Sequence, residues 1–228
     1  MRPYEKAWQA ARQRIDSAER AAGRSQGAVR LLAVSKTFPA ESIRQVHALG
    51  QRAFGENYVQ EAVEKRAALS DLADAIWHLI GPLQGNKANV AAATFDWVET
   101  VDRRRIAERL SAARSPAQAP LDVLVQVNVS GEATKHGVAP AAAPELARYV
   151  ATLPNLRLRG IMGVPEPTTD LERLRGQFGL LRACYDTCRQ AGLDVDTLSM
   201  GMSDDFELAI AAGATMVRIG SALFGKRD

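Results

Sequence analysis

The chain has 228 residues, a formal net charge of +3 and two cysteines. At 46% hydrophobic it holds enough apolar mass for a substantial core, which excludes a disordered chain. The basic excess is small and scattered, so it makes no case for nucleic acid; no stretch is long and apolar enough to span a membrane, and no secretory leader is visible. The expectation is a single soluble domain over residues 1–228, cytoplasmic, with no nucleic-acid or membrane partner.

Residues 4–22 read as an amphipathic helix, with Trp8, Ala11, Ile15 and Ala18 on one stripe and Gly23 as its stop. Short apolar runs then alternate with amphipathic segments. Strands are predicted at Leu31–Val34, Arg52–Phe54, Ile76–Ile80, Trp97–Thr100, Asp122–Asn128, Leu156–Ile161, Thr197–Ser199 and Met216–Ile219. Helices are predicted at about 40–49, 57–69, 84–92, 102–114, 140–152, 170–191 and 204–211. Alternating strands and helices imply parallel pairing through right-handed crossovers. Eight of them point to a single (β/α)8 TIM barrel with an extra N-terminal helix, with a doubly wound open sheet as the alternative. The first helix is expected outside the barrel or across its bottom.

In such a barrel the active-site mouth lies at the C-terminal ends of the strands. Lys36 follows the apolar run Leu31–Val34 there. An ammonium beside a dry core loses solvation, so its pKa falls and a reactive neutral amine appears. The bland alternative is a lysine reaching out into water. Asn57, after the second strand, could contact a ligand or cap the next helix. Glu61 reads as helix surface. His78 reads as a core histidine, and Lys87, Lys135 and the run Arg103-Arg104-Arg105 as solvated charges. Cys184 and Cys188 lie one turn apart on a helix without metal-ligand spacing, so they read as free thiols.

The richest stretch is Ser199-Met200-Gly201-Met202-Ser203-Asp204-Asp205, echoed after the last strand by Gly220-Ser221. Ser203 with the two aspartates reads as a helix cap. Small-residue turns after strands seven and eight are also the usual phosphate cradle of this barrel. Arg218, inside Met-Val-Arg-Ile, needs a buried partner, either a salt bridge or a ligand heteroatom.

Together these segments resemble the pyridoxal-phosphate homeostasis protein family. The matching stretches are AVSKT at 33–37, FGENYVQE at 54–61, WHLIGPLQGNK at 77–87, QVNVSGEATKHG at 126–137, and SMGMSDDFELAI with VRIGSALFG between 199 and 225. The resemblance implies a fold-type III barrel like the alanine racemase N-terminal domain. It implies pyridoxal 5'-phosphate (PLP) held as a Schiff base on Lys36. Ser203, Gly220 and Ser221, with backbone near Met200 and Gly201, correspond to the phosphate-binding positions. Asn57 corresponds to a residue beside the cofactor, and Arg218 to the one facing the pyridine nitrogen. At Gly163 relatives carry a hydroxyl residue, so no binding role is expected there.

The function implied is a non-catalytic PLP-binding protein that buffers or delivers the cofactor, a monomer that meets PLP-dependent apo-enzymes transiently. An arginine only donates hydrogen bonds, so it keeps the ring nitrogen unprotonated and the ring a poor electron sink. The alternative is a small single-domain PLP-dependent amino-acid racemase, which needs a base on each face of the substrate carbon. The chain runs to Asp228, just past the last predicted strand, so the domain that supplies the opposing base in alanine racemase is expected to be missing. A Schiff-base aldolase acting on a phosphorylated sugar is the third reading, and it leaves the resemblance unexplained.

Overall fold

The computed structural model describes residues 4–131 and 135–225. Eight parallel strands close into a barrel in sequence order, from β1 next to β2 round to β8 next to β1. They are β1 (Arg30–Val34), β2 (Ala53–Glu56), β3 (Ile76–Leu79), β4 (Trp97–Val101), β5 (Leu121–Val127), β6 (Leu156–Gly163), β7 (Thr197–Ser199) and β8 (Met216–Ile219). The helices are α1 (Glu5–Ala21), α2 (Ala40–His47), α3 (Val59–Ala68), α4 (Ala88–Thr94), α5 (Arg104–Ala113), α6 (Ala143–Ala151), α7 (Leu171–Gln190), α8 (Phe206–Ala211) and α9 (Ser221–Phe224). The barrel reading therefore holds against the open sheet. Two predicted helices start later than expected, because tight 3-10 turns at Gly85–Lys87 and Pro140–Ala142 precede α4 and α6.

The unbroken apolar runs follow from burial on both faces. In β1 every residue after Arg30 is buried. One face meets the helices. The other packs inside the barrel, where Leu32, Trp97, Leu124, Met162 and Met216 form a separate cluster. Met162 thus fills the barrel interior. Each such fully buried side chain contributes about 1.5–3 kcal/mol relative to an exposed one.

The extra helix α1 packs outside, against α8 and α9. Its Ala11 and Ile15 are buried as the stripe predicts, but so is Glu19. The Glu19 carboxylate accepts from the backbone nitrogens of Gly27 at 2.9 Å and Val29 at 2.6 Å, which ties the helix to the entry of β1. Helical periodicity alone puts that glutamate in water. The arginine run does lie on a solvated surface: Arg103 pairs with Asp102 and Arg104 with Glu145. Among the described residues no helix is long and apolar enough to cross a membrane, and no group of side chains could hold a metal ion.

Candidate functional site at the barrel mouth

The C-terminal ends of the strands surround a cavity of about 530 Å³. Six of the eight predicted site residues line it: Lys36, Asn57, Ser203, Arg218, Gly220 and Ser221. They come from strands one, two, seven and eight. Adjacency of β8 and β1 in the closed barrel is what brings Gly220 to Lys36: Ala33 pairs with Ile219, so the loops that follow are neighbours. Val34, Phe38 and Ile80 supply apolar wall, and Val164 and Met202, both exposed, stand at the rim.

The lysine sits on a fixed segment. Ser35, before it, donates to Glu56 Oε1 at 2.6 Å. Thr37, after it, adopts a left-handed φ of 69° and donates its backbone N–H to Glu61 Oε1 at 2.6 Å. Both carboxylates share the buried Lys65, whose Nζ lies 2.8 Å from Glu56 Oε1 and 2.7 Å from Glu61 Oε1 and also donates to the Ser35 carbonyl. Burial pushes the Glu56 carboxyl above its ordinary range, against the charge of Lys65. Its second oxygen has no hydrogen-bond partner among the described residues. Glu61 is therefore not plain helix surface: it anchors the turn that carries Lys36.

Asn57 does not cap α3; the cap position is Tyr58, without a side-chain bond. The Asn57 backbone is instead met by Gly81, where an added Cβ would stand 2.1 Å from the Asn57 carbonyl oxygen. Only a residue without a side chain lets the β3 loop approach so closely.

The turns after β7 and β8 interlock. Ser203 Oγ accepts from the Ala222 nitrogen at 3.4 Å, joining one turn to the other. Asp205 Oδ1 reaches back to the Met202 nitrogen at 2.5 Å, so it closes the turn instead of capping α8 forward. The backbone amides of Ser203, Asp204 and Ser221 donate to no partner among the described residues. From outside, Arg14 of α1 braces this loop, stacked 4.4 Å over Phe206 and bonded to Glu207 and the Ser203 carbonyl. Unpaired amides at a small-residue turn suit an anion.

Arg218 closes the floor. It is buried, and burial pushes its pKa down against the charges of Glu99 and Asp205. Its Nη1 donates to Ser199 Oγ at 2.7 Å and its Nη2 to the Gly163 carbonyl at 2.9 Å. A lysine amine, an arginine and an anion-ready turn thus face one small cavity.

A family model described as alanine racemase, N-terminal domain, matches residues 8–228. A Pyridoxal phosphate homeostasis protein of Pseudomonas aeruginosa is 55% identical over 215 residues, covering 94% of this chain and 92% of that protein. The chain belongs to the pyridoxal phosphate homeostasis protein family. Another member, from Escherichia coli K12, is 50% identical over 95% of this chain and 94% of its own length. PipY of Synechococcus elongatus PCC7942, solved with PLP bound, is 37% identical with a TM-score of 0.81, over 92% of this chain and 100% of that one. Alanine racemase from Corynebacterium glutamicum shares the fold alone, at 18% identity and a TM-score of 0.65, over 96% of this chain and 61% of that one.

For a member of this family, the structure moves two expected site positions. Met200 and Gly201 do not line the cavity: the Met200 side chain is buried in the outer core, and Gly201 offers its carbonyl to the Arg218 nitrogen. A side chain at Gly163 would meet Leu181 of α7 at 2.3 Å, so the missing hydroxyl there concerns packing against α7 and not the mouth. Its carbonyl nevertheless holds Arg218, a role no side-chain motif could signal. Lys135 is exposed, and Lys87 does not line the cavity but an adjoining groove with Tyr58 and His136, which meets the cavity at Asn57.

Proposed function

We propose that this protein binds PLP reversibly at the barrel mouth, buffers it and hands it on, without turning over amino acids. The observation that carries the reading is the placing of Lys36 and Arg218 on one cavity whose rim also holds the unpaired amides of Ser203, Asp204 and Ser221. The residues fit the three recognition groups of the cofactor. Bound PLP supplies an aldehyde that links reversibly to primary amines. Lys36 offers that amine, the two interlocked turns hold the phosphate, Arg218 meets the ring nitrogen, and Asn57 lies beside the ring. The PLP-bound state of a 37% identical relative supports this assignment.

Two features support a carrier over a racemase. Besides Lys36, Asp204 is the one described cavity-lining side chain of a kind that serves as a base, and it is exposed to water, a poor place for an opposing base. Arg218 donates and never protonates the ring nitrogen, so carbanion stabilisation is weak. The exposed rim at Val164 and Met202 leaves the mouth open, so the site that admits the cofactor also lets it leave. We propose a cytoplasmic monomer that exchanges PLP with transient apo-enzyme partners; the scattered exposed apolar side chains, such as Ile76, Val90 and Leu180, agree with a monomer.

The test is an absorption spectrum of the purified protein titrated with PLP, followed by borohydride reduction and peptide mapping. A visible band that Lys36→Ala abolishes with the fold intact, and a reduced adduct on Lys36, are expected. An adduct on Lys87 or Lys135 instead would overturn the assignment.

A further inference from the structure

Four buried polar side chains come together inside the barrel: His78 of β3, Glu99 of β4, Ser199 of β7 and Arg218 of β8, all at most 4% exposed. Left unpaired, each would cost several kcal/mol, roughly, so their pairing is informative. They form one continuous chain. Arg218 donates to Ser199 Oγ at 2.7 Å, Ser199 lies 2.7 Å from Glu99 Oε2, and Glu99 Oε1 lies 2.8 Å from His78 Nδ1. Chemistry fixes its direction. A guanidinium only donates, so the single hydroxyl proton of Ser199 is left for Glu99. At the other oxygen His78 Nδ1 donates when it carries the ring proton, the tautomer that an ionised Glu99 favours. Burial pushes the Glu99 carboxyl up, but the hydrogen bond and charge of His78, the charge of Arg218 and the Ser199 hydroxyl outweigh it and hold it below its usual range. His78 is itself fixed by stacking on Trp97, 4.9 Å between centroids and 13° between planes.

We infer that Glu99, acting through Ser199, is a positioning residue for Arg218. It balances the buried guanidinium and, with the Gly163 carbonyl on the other Nη, sets the rotation at which the remaining donors face the mouth. Neither Ser199 nor Glu99 lines the cavity, so both act only through Arg218. The inference rests on the reading that PLP lies against Arg218.

The experiment compares wild type, Ser199→Ala, Arg218→Leu and the double variant, all titrated with PLP. The absorption maximum of the bound cofactor and its Kd are the readouts. Ser199→Ala removes one oxygen and is expected to keep attachment at Lys36, shift the maximum towards that of Arg218→Leu, and weaken Kd about tenfold. In the Arg218→Leu background it should change neither. Glu99→Gln, the same shape without the charge, is the second variant and should weaken Kd likewise. An unchanged maximum and Kd in both single variants beside an altered Arg218→Leu overturns the inference alone. So do equal effects of Ser199→Ala with and without Arg218, which mark a merely structural contact. A wild type that gives no band overturns the proposed function and this inference with it.

Discussion

Glu61 Oε1 lies 2.6 Å from the backbone nitrogen of Thr37, the residue that follows Lys36, and that nitrogen belongs to a left-handed turn. A helix one strand further along the chain thus holds the segment that presents the amine. Glu61→Ala removes this acceptor and one of the two carboxylates on Lys65. We expect a stability loss of about 1–3 kcal/mol in urea unfolding. We also expect slower growth of the visible band after PLP is added. Glu61→Gln keeps the acceptor and should recover most of the rate; equal rates in wild type and Glu61→Ala would show that Lys36 needs no such anchor.

Two glycines of the predicted site should answer differently to alanine. Gly220 has φ −114°, and an added Cβ would meet Val34 at an ordinary 3.4 Å. Gly220→Ala should melt near wild type yet weaken PLP by placing a methyl in the cradle. Gly201 has φ 93°, and its Cβ would stand 2.5 Å from that of Ala209. Gly201→Ala should lose stability by at least ~1–3 kcal/mol, for a conformation that side chains avoid. Thermal melts beside titrations separate the two, and the reverse pattern would exchange their roles.

If the turns hold the phosphate, pyridoxal without it should bind far more weakly than PLP, because charge-assisted hydrogen bonds are the strong ones. Equal Kd values for the two in parallel titrations would remove the cradle from Ser203, Gly220 and Ser221.

Burial pushes the Cys188 thiol up to about 11, with the neighbouring Cys184 adding to it. A raised folded-state value favours the protonated fold, so this contribution is fully present below the ordinary thiol value of 9.0 and lost as pH rises towards 11. Urea unfolding should therefore show stability falling over that window, with a shallower fall in Cys188→Ala. Both thiols should resist alkylation in the native protein at pH 8 and react on unfolding. Rapid native labelling of Cys188 would contradict its burial.

If the protein carries PLP without turning over amino acids, as proposed, it should neither exchange nor racemise at the alpha carbon. PLP-loaded protein incubated with L- and D-amino acids in deuterated water is expected to give neither deuterium incorporation nor product above free PLP. Multiple turnovers lost in Lys36→Ala would favour the racemase.

Much of this protein is legible in the sequence because the barrel writes it with a short period. Strands buried on both faces must be apolar without a break, so Leu31–Val34 and Met216–Ile219 stand out, and the polar residues just after them mark the mouth. Lys36 and the small-residue turns were visible for that reason, and Arg218 because a charge interrupts the last apolar strand. What only the tertiary structure decided are partners far apart in the chain. Nothing local distinguishes Glu61 from a surface glutamate until Lys65 and the Thr37 amide close on it. Glu99 and Ser199 are 100 residues apart and meet only because the closed barrel turns both side chains inward. Gly163 contributes a carbonyl, which every residue has, so its role depends on where β6 lies beside Arg218 and not on which side chain it carries.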